Sequence, residues 1–162
     1  MITFAHVPTP LGEVTAVADD DWLTTLLLPG DVGVVPGDAA EGGPTVDRAA
    51  AQLDEWFAGE RERFDLPLAP AGTAFQRRVW AALVAVPYGE TATYRDIAVA
   101  IGQPTATRAV GAANGRNPIP IIIPCHRVIG ADGSLTGYSG GGGLDTKRYL
   151  LDLERGVLTL EV

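Results

Sequence analysis

Asn117 to Gly130 reads N-P-I-P-I-I-I-P-C-H-R-V-I-G, and the rest of the chain is best read outward from it. Its apolar run, Ile119 to Ile123 broken only by Pro120, is far too short to span a membrane. It suits a strand or extended segment buried on both sides. Pro124 ends the run. A proline locks its own φ and holds the residue before it extended, so the next residue stands on a stiff support. That residue is the sole cysteine of the chain, Cys125, with His126 and Arg127 directly after it. A lone cysteine at the end of an apolar run is commonly a small core residue. To be a nucleophile it must become a thiolate, and an unassisted thiol is only a few per cent ionised at pH 7. A neighbouring base or cation is the usual remedy, and here both adjoin it. Adjacent side chains of an extended segment point to opposite faces, so the spacing predicts a water between Cys125 and His126 rather than direct contact.

The chain has 162 residues, enough for a real core in one domain or two small ones. It begins M-I-T-F, with no basic stretch and no long apolar stretch, so no leader or membrane span is expected. One cysteine excludes an internal disulfide, and with two histidines it excludes a cysteine-rich zinc site. The formal net charge of −8 is awkward for a DNA-binding protein, yet it is unevenly placed. Residues 1–70 carry thirteen acidic against three basic side chains, and residues 71–162 carry seven against nine. The cationic surface is local to the second half.

Short β-rich runs at 2–7, 13–18 and 22–28, separated by turn compositions, predict an antiparallel meander. Residues 29–44 read as a loop. Val46, Ala49, Ala50, Leu53, Trp56 and Phe57 fall at helical spacing, with Thr45 as the expected cap and Gly59 as the stop. Residues 60–73 read as a connection, which predicts two units, 1–70 and 71–162. Thr73 is the expected cap of a helix facing the core with Phe75, Val79, Leu83 and Val86 and stopping before Pro87. Next, a helix carrying Tyr94, Ile97, Ala98 and Ile101 ends at Gly102, and a second, capped by Thr105, ends at Asn114-Gly115. Together they read as a helix-turn-helix. The second helix is built of small residues and offers few side chains for reading base edges, which disfavours a sequence-specific repressor. Gly140 to Gly143 lack the Lys-Ser/Thr pair of a phosphate loop. Leu144 to Leu153 predicts a last helix, closed by Gly156.

The P-C-H-R-V motif after an isoleucine run resembles the active-site signature of the O6-alkylguanine-DNA alkyltransferases, the methylated-DNA–protein-cysteine methyltransferases. The resemblance extends from about Phe75 to Glu154, with a weaker N-terminal match. It implies an α/β protein, in which a small N-terminal antiparallel sheet with a helix supports a mostly helical C-terminal domain bearing a winged-helix-like helix-turn-helix. It implies a single, irreversible transfer of the alkyl group from O6-alkylguanine in double-stranded DNA to Cys125, with O4-alkylthymine as a second candidate substrate. His126 would be the base, acting through water, and Glu154 would close the relay, although the glycine loop before its helix is lengthened here. The base must be flipped out to reach the thiol, at a cost of a few kcal/mol.

By the same resemblance, Arg108 fills the gap left in the stack, Tyr94 rotates the nucleotide, and Thr107 and Ala109 lie against the minor groove. Asn117 braces the segment leading to the cysteine, while Tyr94, Pro120, Val128, Tyr138 and Ser139 line the guanine pocket. Arg127 is expected to tie segments together. No metal or cofactor, no membrane and no protein partner are implied. The expectation is a monomer in the cytoplasm, nucleoid-associated in a prokaryote and nuclear in a eukaryote. Two rivals stand beside it. A cysteine hydrolase is disfavoured because its histidine usually lies far off in sequence. A non-catalytic binder of alkylated DNA is disfavoured by the intact cysteine.

Overall fold

A computed structural model describes residues 1–31, 33, 35–136 and 143–157 of the protein. It has a mixed α/β fold. Strands β1 (Ile2–Thr9), β2 (Gly12–Asp19) and β3 (Trp22–Leu27) form the expected antiparallel meander, with Ile2 opposite Asp19 and Thr15 opposite Leu27. Alternation works as predicted on β2, where Val14, Ala16 and Ala18 are buried. The stretch expected as a plain loop holds a two-residue strand, β4 (Ala40–Glu41), parallel to β1 on the sheet edge.

Helix α1 (Pro44–Phe57) covers the sheet with Val46, Ala49, Leu53 and Trp56. Its cap is Gly43, not Thr45. Pro44 takes the first helical position, where its missing N–H costs nothing, and the Thr45 hydroxyl instead donates to Asp20 O at 3.0 Å. The connection after α1 runs beside β3, where Leu23 N donates to Pro67 O and Ala69 N to Leu23 O.

Helix α2 (Ala74–Val84) starts at a capping box in which Thr73 and Gln76 each satisfy the other's backbone N–H. Val79, Trp80 and Leu83 are its buried face, and the Trp80 indole donates to Ala113 O at 2.8 Å. Strand β5 (Ala92–Thr93) leads into α3 (Tyr94–Ala100), capped by a second box of Thr93 and Asp96. Helix α4 (Thr107–Gly115) comes after a turn and packs on α2 and α3. Its cap is Ala106 without a side-chain bond, so Thr105 does not play the expected part. Helix α5 (Leu144–Arg155) ends at Gly156, whose φ of 69° is the left-handed cap that glycine takes without strain.

The apolar run 119–123 is not a strand. It folds back on itself as Ile122 N donates to Pro120 O and Ile123 N to Ile119 O, with Ile121 at a φ of 72°. Asn117 explains the departure, since its amide donates to Ile123 O at 2.8 Å and its carbonyl oxygen accepts from Ile119 N at 3.0 Å. A side chain that bonds the backbone two and six residues on closes the segment into a loop rather than a ladder. Cys125–Arg127 then form a single 3-10 turn, succeeded by β6 (Val128–Ile129), parallel to β5. One hydrophobic cluster runs from the sheet through α1, α2, α3 and α4 to the isoleucine segment and Leu150.

Candidate active site

The 3-10 turn presents Cys125, His126 and Arg127 in succession, all buried. The extended geometry expected at this point is thereby corrected: the side chains fan around a tight turn instead of alternating across a ribbon. His126 is fully enclosed, and its Nε2 lies 2.7 Å from Glu154 Oε2 on α5. Arg127 grips the same carboxylate as a fork, with Nε donating at 2.9 and 3.1 Å and Nη2 at 2.7 Å, while Nη1 donates to Val86 O at 2.7 Å. The turn, the end of α2 and the last turn of α5 are thus joined by one guanidinium, as expected of Arg127.

Burial works against the Glu154 charge. The hydrogen bonds and charges of His126 and Arg127 outweigh it, and the carboxyl is drawn down to about 2. A carboxylate accepts only, so His126 Nε2 must carry the ring proton and Nδ1 is left as the acceptor. Nδ1 is buried and meets no protein partner. Burial also pushes the imidazole below its ordinary value, against the pull of Glu154, and keeps it neutral.

Cys125 is 4% exposed. Burial pushes its thiol up to about 11, although the Asn117 side chain and the charge of Lys147 act the other way. At neutral pH the sulfur therefore holds its proton, and only loss of that proton to a base would make it a nucleophile. Lys147, on α5, was not singled out by its sequence context. It is fully buried, donates to Val128 O and, at 2.6 Å, to Thr136 O, and stands 6.0 Å from the centre of the Tyr94 ring. Desolvation lowers its ammonium to about 8, with Cys125 pulling the other way.

The Tyr94 hydroxyl donates to Thr136 O at 2.9 Å and accepts from Thr136 Oγ1 at 3.2 Å. Tyr94 is thereby joined through Thr136 and Lys147 to Val128, while Pro120 is buried in the folded isoleucine loop. Asn117 braces that loop, and the buried Asn114 amide lies 3.4 Å from Cys125 O. Thr107, Arg108 and Ala109 are exposed on the first turn of α4, apart from the buried array. Tyr138 and Ser139 lie outside the described residues. Among the described residues no group of three or more His, Cys, Asp or Glu could hold a metal ion. No helix among them is long and apolar enough to cross a membrane.

Residues 74–156 match the family model described as "6-O-methylguanine DNA methyltransferase, DNA binding domain". Over 150 residues, 91% of this chain and 94% of the other, the sequence is 52% identical to the methylated-DNA–protein-cysteine methyltransferase of Methanosarcina barkeri. The chain belongs to the methylated-DNA–protein-cysteine methyltransferase family. The constitutive methyltransferase of that name from Bacillus subtilis is 47% identical over 94% of both chains. Among solved structures, Mycobacterium tuberculosis OGT in complex with DNA superposes with a TM-score of 0.87 at 46% identity, covering 96% of this chain and 94% of that one. The methyltransferase family match covers every described element from α2 to α5, including the cysteine turn and the carboxylate it faces.

Proposed function

We propose that this chain repairs O6-alkylguanine in duplex DNA by transferring the alkyl group once, irreversibly, to Cys125. The observation that carries the reading is the buried array at the cysteine turn: a protonated thiol beside a neutral imidazole, whose far nitrogen is fixed by an ionised carboxylate. The thiol proton passes through a bridging water to His126 Nδ1, and Glu154 stabilises the imidazolium that forms. The sulfur lone pair forms the S–C bond as the C–O6 bond breaks. The electron pair leaves with guanine, which takes up a proton, so the products are guanine and a thioether. A thioether has no electrophilic carbonyl for water to attack, and the protein is spent after one turnover.

Arg127 and Lys147 are assigned no part in bond making. Arg127 holds Glu154 in register, and Lys147 lends positive potential near the sulfur. Exposed Arg108 enters the stack in place of the flipped base, with Thr107 and Ala109 against the minor groove. Tyr94, Pro120, Val128, Tyr138 and Ser139 contribute to the guanine pocket. In this reading residues 1–70 form a supporting unit and residues 71–162 a DNA-binding, alkyl-accepting unit with a winged helix-turn-helix. The protein works as a monomer on DNA in the cytoplasm, and the DNA complex of the M. tuberculosis relative supports that choice of partner.

The test is intact and peptide mass spectrometry after incubation with duplex DNA carrying one O6-methylguanine. One methyl on the Cys125 peptide, saturating at one per protein and absent from Cys125→Ser, is the expected result. Binding of the lesion duplex without any adduct would replace this reading with that of a lesion binder.

A further inference from the structure

The N-terminal unit reaches the relay at the end of α1. Trp56, on the last turn of α1, is fully buried, and its ring centre lies 6.2 Å from that of His126 at an interplanar angle of 72°. Phe57, Phe64 and Tyr88 surround the indole at centroid distances of 5.0, 6.2 and 6.3 Å. The side of His126 turned to α1 is therefore closed by aromatic carbon, while Glu154 closes the other. We propose that Trp56 is a positioning residue for the relay: it packs across the His126 ring and closes the α1 side of the imidazole to water, so that the ring stays neutral with its proton on Nε2. The inference rests on the transfer reaction proposed above and deepens it, since it gives the supporting unit a part in the chemistry.

The groups facing His126 decide the sign of the effect. Glu154 favours the imidazolium, whereas Arg127 on the same turn and Lys147 on α5 oppose it. Cys125 adjoins on the chain, and Tyr88 stacks against Arg127 at 5.7 Å. From α1 the uncharged Trp56 indole faces it. The indole carries no charge, and as part of the burial around His126 it excludes water from this side of the ring; that desolvation is the largest influence on the imidazole. Removing the indole admits water, relieves the desolvation that keeps the ring neutral, and raises the pH at which His126 protonates. A protonated His126 cannot accept the thiol proton, so transfer is lost on the acid side.

The experiment compares wild type with Trp56→Phe and Trp56→Leu. It reads the pH dependence of the single-turnover transfer rate, and the His126 ring nitrogens by 15N nuclear magnetic resonance without DNA. In Trp56→Leu the acid limb of the rate moves to higher pH together with the His126 titration, while Trp56→Phe, which keeps an aromatic wall, stays close to wild type. A folded Trp56→Leu whose His126 titration and tautomer match wild type overturns the proposal, whatever its stability. If the leucine variant does not fold, Trp56→Met, whose flexible thioether refills the core, is judged by the same criterion. The resonance measurement needs no transfer, so a wild-type protein without transfer activity would remove the proposed function and leave this inference to the titration.

Discussion

Neutralising Glu154 without changing its shape tests the heart of the site. In Glu154→Gln the side chain keeps one acceptor oxygen and gains an amide that points donor hydrogens at Arg127 and His126. The guanidinium fork, at 2.7 to 3.1 Å, loses its counter-charge inside the protein. The carboxyl is drawn from 4.5 to about 2 in the folded chain, which corresponds to about 3 kcal/mol of stability. Breaking a buried ion pair by removing one charge costs roughly 3–5 kcal/mol, the same order. Because the folded value is the lower one, this stability is fully present above the unfolded value of 4.5 and disappears as the pH falls towards 2. Urea unfolding of both proteins across that range is the assay. The expected outcome is a gap of about 3 kcal/mol near neutral pH that closes as the wild-type carboxyl takes up its proton. A gap that stays constant through the acid range, or no gap at neutral pH, would refute the reasoning.

Further outcomes are expected elsewhere. Native Cys125 should resist iodoacetamide at pH 9 and become reactive towards pH 11, whereas the unfolded chain reacts at the ordinary thiol range; neutral-pH labelling of the native protein at the unfolded rate contradicts the buried, protonated sulfur. Arg108→Ala should leave the melting curve almost unchanged, within about 0.5 kcal/mol for an exposed site, while transfer from duplex DNA slows; equal transfer rates in the two proteins speak against a role in the stack. Thr93→Ala removes one arm of the capping box on α3 and should cost about 1 kcal/mol in thermal unfolding.

The sequence was most legible where one local rule acted alone. Alternating apolar residues placed the meander, and Thr73 marked the start of α2. It was least legible where two local rules competed. Thr45 looked like a cap, but Gly43-Pro44 supplied a better start and left the threonine hydroxyl to Asp20. The isoleucine run looked extended because β-branched residues favour strands, and only the bonds of Asn117 to both ends of the run turn it into a loop. Strands of two residues, such as Ala92–Thr93, carry no periodic signal at all. The Cys125-His126 pair could be seen directly in the chain. Arg127 binding Glu154, Lys147 reaching Val128 and Trp56 lying against His126 all depend on long-range packing, to which spacing along the chain gives no access.

Ile121 gives the site an unusual dependence. A β-branched residue at a φ of 72° is disfavoured on its own, by roughly 1–2 kcal/mol, and it lies 1% exposed four residues before the cysteine. Such a conformation persists only where the surroundings over-determine it. The platform under the thiol thus has no inherent tendency to form and assembles when the core closes over it. Loss of competence on heating or in denaturant should then coincide with global unfolding, with no partly folded species that still carries an armed sulfur. A protein that can act only once thus completes its acceptor site in the same step as its core.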